Sequence, residues 1–298
     1  DIAQGVATIL KEKRPEIRLI GTDMNLEHGG ALFVDKVLQV PIATSEVYLE
    51  RIREIIDTNS IDMVIPMSES ELLVFSPLID ELGEDYCITT GKDVIKICTD
   101  KLKTMNTLTE LGIKTPWSLE AEHDTPHEFP CIFKARHGSG SKNIFLVENN
   151  DEAIFLMKKF PRSIFQELLE PENKEVTCAV YRKKDGQVAV LQLLRKLTGG
   201  LTGWAKVIDD HETSEMCKSI ATGLDLSGSM NIQLRITDSG PRVFEINPRF
   251  SSTVLMRHRL GFSDLLWAID EAEGKRIEFP NIKIGQCMVR VQDAKNLQ

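Results

Sequence analysis

No two of the six cysteines (Cys87, Cys98, Cys131, Cys178, Cys217 and Cys287) are close enough in the chain to make a CxxC pair. That spacing argues against a structural zinc site and against a disulfide framework. Dispersed thiols in a chain of this size read as reduced core residues of a cytoplasmic protein. Long apolar runs are missing as well: none approaches the roughly 20 residues that a bilayer span needs, and no signal peptide is read. Positive charge is in deficit, with 36 Lys and Arg against 45 Asp and Glu, a net charge of −9. A dedicated nucleic-acid binder would show a basic face, so that class is set aside, and a local basic pocket for an anion stays open. Internal repeats and low-complexity linkers are absent, and the histidines offer no ligand spacing.

What is present is an ordinary globular composition, 42% hydrophobic and 27% charged, over 298 residues. That length suggests about two domains and a core large enough to fold without a covalent or metal staple. The opening stretch, "DIAQGVATIL", already has helical spacing at Ile2, Val6 and Ile9 or Leu10, with Asp1 at the cap position. An α/β domain normally opens on a strand, so the expectation is a first strand and glycine turn lost from the start.

The first ninety or so residues alternate short apolar runs, "RLIGTD" (18–23) and "DMVIPM" (62–67), with helical stretches over 45–60 and 70–83. Such alternation predicts a parallel sheet, whose ligands sit beyond the carboxyl ends of the strands. That rim holds Thr22, Asp23, Ser68, Glu69 and Ser70. A capped helix follows in "TDKLKTMNTLTELGIKTP" (99–116). From residue 130 the pattern changes to strands joined by turns, with helices near 151–160 and 211–224 and a hairpin turn at "KKDGQ". The chain is therefore α/β at its start and α+β after it.

Three segments carry candidate chemistry. In "NIQLRITDSGPRVFEINPRFSST" the turn centres near Ser239, which sets Gln233 opposite Glu245. Asn247 shares the face of Glu245, and Phe244 and Ile246 are expected to point into the core. Three hard oxygens with one formal charge suit Mg²⁺ that takes its remaining ligands from phosphates, with Arg249 in reach of the bound anion. A wet polar face on an edge strand explains the same pattern. In "FPCIFKARHGSGS" the apolar strand carries Lys134 and leads into Gly138, Ser139, Gly140 and Ser141, small residues able to close over a phosphate. A plain flexible hairpin is the alternative. In "FQELLEPENKEVT" an apolar hinge beside Gln166 and Glu167 suits adenine, and a carboxylate suits ribose; an acidic surface loop is the bland reading.

In shared order and spacing these segments, with "DKLKTMNTLTELGIKTP", resemble the ATP-grasp superfamily, particularly its carbamoyl-phosphate-synthase-like carboxylate–amine ligases. The likeness covers nearly all of the chain, and "NIQLRITDSGPRVFEINPRFSST" is its most specific part. It implies an N-terminal Rossmann-like (pre-ATP-grasp) α/β domain over 1–98, then a two-subdomain ATP-grasp fold over 99–298. The lid subdomain would cover about 117–168 and the C-terminal subdomain about 169–298. It further implies Lys101 and Lys134 on the ATP phosphates, with Gly138, Ser139, Gly140 and Ser141 as a lid. Gln166, Glu167, Leu168 and Leu169 would line the adenine pocket, with Glu175 on the ribose. Gln233, Glu245 and Asn247 would hold Mg²⁺, as two ions or replaced by Mn²⁺, and Arg249 would stabilise the transferred phosphoryl group.

The implied activity is ATP-dependent ligation of a small carboxylate to an amine through an acyl phosphate, releasing ADP and phosphate. The expected protein is cytoplasmic, binds neither membrane nor nucleic acid, and belongs to a family that often dimerises. Phosphorylation of carboxyphosphate or carbamate, as in carbamoyl-phosphate synthase, is the rival; a non-catalytic ATP-binding subunit is a third reading. "EPENKE" departs from the family's tighter glycine-containing linker, so the ribose partner is the least fixed of these assignments. In "LLRKLTGGLTGWAKVID" Arg195 is a candidate contact for a carboxylate or phosphate, beside the plain reading of a glycine-rich loop. Arg257, His258 and Arg259 either add positive charge to the site or form a solvated helix face.

Overall fold

A computed structural model describes residues 2–122, 124–138 and 143–291. Asp1, Ser139, Gly140 and Ser141 lie outside the described residues, so the cap on the first helix and most of the lid candidate are not placed. No helix among the described residues is long and apolar enough to cross a membrane, and all six cysteines are free.

The chain opens with helix α1 (Ile2–Lys13), the parallel pair β1 (Ile20–Asp23) and β2 (Lys36–Gln39), and α2 (Tyr48–Asn59). The strand expected over 62–67 is reduced to a single bridge, in which Val64 exchanges bonds with Tyr86 and Ile88 (2.8 and 2.9 Å). Pro66, two residues on, has no N–H with which to extend that ladder. The helix expected over 70–83 is split at Phe75 into α3 (Glu69–Val74) and α4 (Ser76–Leu82). Pro77 is the cause: it cannot donate to the carbonyl four residues back and suits the first turn of a new helix instead. Ser68 caps α3 in a reciprocal box with Glu71, which fixes the start of the helix where Glu69 sits. Helix α5 (Lys92–Cys98) leads to α6 (Lys101–Glu110).

Beyond α6 lie two antiparallel sheets. The four-stranded one contains β3 (Ser118–Glu120), β4 (Cys131–Ala135), β5 (Phe145–Val147) and β6 (Ser163–Glu167), in the order β3-β6-β4-β5, with α7 (Asn150–Lys159) between β5 and β6 in the chain. Its core is aromatic, with Phe133 edge-on to Phe165 at 5.1 Å and Phe145 stacked on Phe160 at 5.3 Å. The six-stranded sheet contains β7 (Glu175–Arg182), β8 (Val188–Thr198) and β9 (Leu201–Ile208). After α8 (His211–Gly223) come β10 (Gly228–Thr237), β11 (Gly240–Asn247), α9 (Val254–Arg259), α10 (Asp264–Ala272) and β12 (Cys287–Val289). The strand order is β11-β10-β7-β8-β9-β12.

Alternation along the strands divides this large sheet into two faces. On one, Val176, Cys178, Val180, Met230, Ile232 and Leu234 pack against Met105 and Leu108 of α6 and Met216, Cys217 and Ile220 of α8. The other face is divided along its length. Its lower half, including Ala179, Tyr181, Leu191 and Leu193, is covered by α9, α10 and α1. Its upper half is polar and faces the four-stranded sheet.

Helix α1 thus docks on the far end of the chain, where Ile9 and Leu10 join Val254, Phe262 and Leu265 in one core. The approach is close: a methyl group on Gly5 would stand 2.7 Å from Val254 Cγ1.

Candidate active site

The register expected from the turn at Ser239 is the observed one, with Gln233 paired to Glu245 and Asn231 to Asn247. A β-bulge then intervenes, since Leu234 pairs with Val243 and Phe244 is left over. A bulge re-aims the side chains beyond it. Val243 and Ile246 therefore face the core, and the expectation that Phe244 does so is corrected: its ring lies 5.8 Å from the Lys134 ammonium. Strict alternation, on which that expectation rested, fails at such a bulge.

Lys134 crosses from the small sheet to the large one. Its Nζ donates to Gln166 Oε1 (2.7 Å) and to the carbonyl of Phe244 (3.3 Å). Burial pushes its pKa down to about 8, with Glu245 opposing that shift and Lys101 adding to it. Gln166 is itself fixed by donating to Ser118 Oγ (3.1 Å).

Lys101 is placed by the cap of α6. Asp100 accepts from Leu102 N and Lys103 N (3.1 Å each), and Arg136 grips Asp100 through Nε and Nη2 (2.9 and 2.8 Å). At the first helical position, Lys101 reaches the carbonyl of Gly138 (2.5 Å). Both lysines and the one described residue of the lid candidate thus meet at one end of the cleft.

Glu69 closes the cleft from the N-terminal side and is 7% exposed. Burial raises its pKa. Lys101 and Arg249 oppose that rise, Glu245 adds to it, and a bond from the Gly138 backbone lowers it. Arg249 Nη2 lies 4.0 Å from Glu69 Oε1 and donates to Asn247 Oδ1 (3.2 Å), while Nη1 donates to the carbonyl of Phe250 (3.0 Å). Its Nε is buried without a hydrogen-bond partner among the described residues, and burial lowers its pKa.

Gln233, Glu245 and Asn247 share one polar face, and together they could hold a metal ion. One carboxylate and two amide oxygens are hard donors with a single formal charge, a set that fits Mg²⁺ sharing its shell with phosphate oxygens. No cluster of three or more His, Cys, Asp or Glu among the described residues could hold a metal by itself.

The other charged candidates already have partners. The Glu167 carboxylate takes both arms of Arg242 (2.5 and 2.7 Å) and the N–H of Trp117 (3.1 Å), leaving its backbone beside the hinge formed by Leu168 and the buried Leu169. Glu175 lies between Arg195 and Arg235, and Arg195 also donates to Gln233 Oε1 (2.9 Å). Arg257 is neither a cleft residue nor on a solvated face. It is 0% exposed and paired with Asp264 (2.8 Å), which also accepts from Ser229 (2.6 Å). Arg259 pairs with Glu12, and His258 with Ser263.

The sequence reading missed Arg235, Arg242 and Arg290. Arg290 donates to the carbonyls of Thr202 (3.1 Å) and Ser252 (2.6 Å), and burial lowers its pKa. For Arg235 a signal existed: Asn231, Gln233 and Arg235 occupy every second position of a strand opposite Glu245 and Asn247.

Two antiparallel sheets closing on one mixed-charge cleft, with an N-terminal α/β unit at its edge, form the class of architecture expected from the sequence. The chain belongs to the ATP-grasp family: the ATP-grasp domain model matches residues 98–253, more than half of the 298. The PylC-like N-terminal domain model matches residues 4–86.

Among curated relatives, the D-alanine–D-alanine ligase of Fusobacterium nucleatum is 34% identical over 101 residues, 33% of this chain and 34% of that protein. The carbamoyl-phosphate synthase of Methanobrevibacter smithii is 23% identical over 248 residues, 75% of this chain and 67% of that protein. The chain therefore spans about a third to two thirds of the length of these relatives. The biotin carboxylase domain dimer of the Hydrogenobacter thermophilus 2-oxoglutarate carboxylase, solved with MgADP, ADP and bicarbonate, has the same fold. Its TM-score is 0.75 at 17% identity, over 96% of this chain and 71% of that one.

Proposed function

We propose that this protein is an ATP- and Mg²⁺-dependent ligase that activates a carboxylate as an acyl phosphate and joins it to an amine, releasing ADP and phosphate. The observation that carries this reading is the meeting of Lys101, Lys134, Glu245 and Arg249 around one cleft, with Glu69 entering from the other side. Phosphoryl transfer asks a protein mainly for positioning and charge neutralisation, and these side chains supply both.

In this reading the adenine lies against the hinge at Leu168 and Leu169, below Gln166 and the backbone of Glu167, with the ribose toward Glu175. Lys101 and Lys134 hold the phosphates, and Gly138 belongs to the cover over them. Gln233, Glu245 and Asn247 would hold Mg²⁺, as two ions or replaced by Mn²⁺. When bound, the ion would neutralise phosphate charge.

A carboxylate oxygen attacks the γ-phosphorus, the bond to the β-phosphate oxygen breaks, and ADP leaves. Arg249 faces the charge that builds on the transferred group. The amine nitrogen then attacks the acyl carbon, phosphate leaves with the bonding pair, and the nitrogen gives up a proton. Glu69, a buried carboxylate with a raised pKa beside Arg249, is suited to hold the ammonium and take that proton. The product of the first step hydrolyses in water, which gives a closing cover a purpose.

We divide the chain for this purpose at about residue 98, with a lid over about 117–168 and a C-terminal subdomain after it. The acid and amine are small molecules, and the setting is cytoplasmic. A homodimer accords with the dimeric neighbour.

The test is release of ADP and phosphate on adding a panel of amino acids and small acids with amines. Stimulated release of both supports ligation, and AMP with pyrophosphate would remove the proposal. The likeness to a carbamoyl-phosphate synthase over 75% of the chain supports a second reading, marked by ADP release with bicarbonate and no organic acid. A non-catalytic ATP-binding subunit would release neither, and would not need an arginine at the transferred phosphate.

A further inference from the structure

One chain of contacts runs across the polar face of the large sheet. Glu175 and Arg235 are register partners on β7 and β10, and Arg195 on β8 flanks Glu175 on its other side. Arg235 donates through Nη1 to the carbonyl of Leu169 and through Nη2 to Glu175 Oε2 (2.8 Å). Glu175 Oε1 receives Arg195 Nε and Nη2 (2.8 and 2.6 Å), and that Nη2 also donates to Gln233 Oε1 (2.9 Å). The three charged side chains are 10–14% exposed.

Every link uses a fixed planar fork, so a shift at one end displaces the others instead of being absorbed by a flexible ammonium. The ends are unlike: one is a hinge carbonyl, the other an amide whose Oε1 must face the cleft to bind a cation. Arg195 settles that orientation, because only the oxygen of the Gln233 amide can accept its N–H. Two guanidinium groups share one carboxylate, which leaves this layer positive on the side where a nucleotide would lie.

We propose that Arg235 is a positioning residue that couples the nucleotide hinge to the metal site, acting through Glu175 and Arg195 on Gln233. This rests on the reading of the hinge and of Gln233 given above. Seating a nucleotide against Leu169 then helps to hold Gln233 in its metal-binding orientation, and a bound cation in turn tightens the hinge, since coupling between sites is reciprocal.

The test is calorimetric ADP binding with and without Mg²⁺, which needs no turnover. In the unaltered protein we expect Mg²⁺ to strengthen ADP binding. We expect Arg235→Met to reduce that enhancement by about ten-fold, within the usual range of coupling between sites. In a Gln233→Ala background it should have no further effect. Arg195→Lys, which keeps the charge and loses the second arm, should reproduce the loss and serves if Arg235→Met does not fold. Arg235 and Arg195 variants that keep the full Mg²⁺ enhancement would overturn the proposal, as would equal losses with and without Gln233. If the unaltered protein shows no Mg²⁺ enhancement, the metal reading itself fails; if it does and the variants match it, only the coupling fails. A purely structural Arg235 would lower the melting temperature and leave the enhancement intact.

Discussion

Arg249 Nη2 stands 4.0 Å from Glu69 Oε1, and this contact joins the N-terminal unit to the strand that carries Glu245 and Asn247. Neither group is fully matched: burial lowers the pKa of Arg249 and raises that of Glu69. At 4.0 Å there is no direct hydrogen bond, so each group keeps capacity for a ligand that approaches from the cleft.

If Glu69 meets the amine substrate, Glu69→Gln raises the KM for the amine by about ten-fold or more, the scale of one hydrogen bond to a charged group. The KM for ATP should not move. Steady-state kinetics with each substrate varied in turn decides this, and a rise confined to ATP would reassign Glu69 to the nucleotide.

Arg249→Ala should lower kcat by about 10²-fold or more, the scale of losing one electrostatic donor to a developing charge. ADP binding should be retained. A kcat within a factor of about two of the unaltered enzyme would place Arg249 outside the phosphoryl site.

Glu245→Gln removes the one formal charge of the proposed metal set. Its Mg²⁺-dependent turnover should fall far more than its nucleotide affinity, measured by titrating Mg²⁺ at fixed ATP. Equal loss of both would contradict the metal role.

Lys134 titrates near pH 8 in the folded chain, below its ordinary value of 10.5. Between those values the unfolded state binds more protons, so stability rises with pH across the window. Nucleotide binding acts the other way, since phosphates favour the charged lysine and binding above pH 8 takes up a proton. Calorimetry in two buffers of different ionisation heat should show this uptake, and Lys134→Met should abolish it. Uptake that survives in the variant would point to another group.

Ile9→Ala should destabilise the protein by about 2–5 kcal/mol, the range for emptying a buried isoleucine site. Ile9 is 0% exposed and packs with residues of α9 and α10. Hydrogen exchange should therefore quicken in α9 and α10, with little change in α2 and α4. Faster exchange in α2 and α4 alone would contradict the docking of α1.

Local rules carried much of the architecture. The turn at Ser239 fixed the register of Gln233 against Glu245, because two strands and a tight turn leave few alternatives. Lys134 was legible as a charge at the end of an apolar strand. The partners of Glu175 were not, because Arg195 and Arg235 come from strands 20 and 60 residues away in the chain, and no local pattern pairs them. The bulge at Phe244 was hidden for a different reason: the residues around it keep ordinary strand character. Arg257 looked like part of a basic helix face because its partner, Asp264, opens the next helix.

The docking of α1 against α9 and α10 also bears on the order of events during synthesis. Val6, Ile9 and Leu10 are synthesised well before Val254, Phe262 and Leu265, with which they share a core. Until that later stretch emerges, the apolar stripe of α1 lacks these partners, so the nascent chain has more need of a chaperone than one whose helices pack on their near neighbours in sequence.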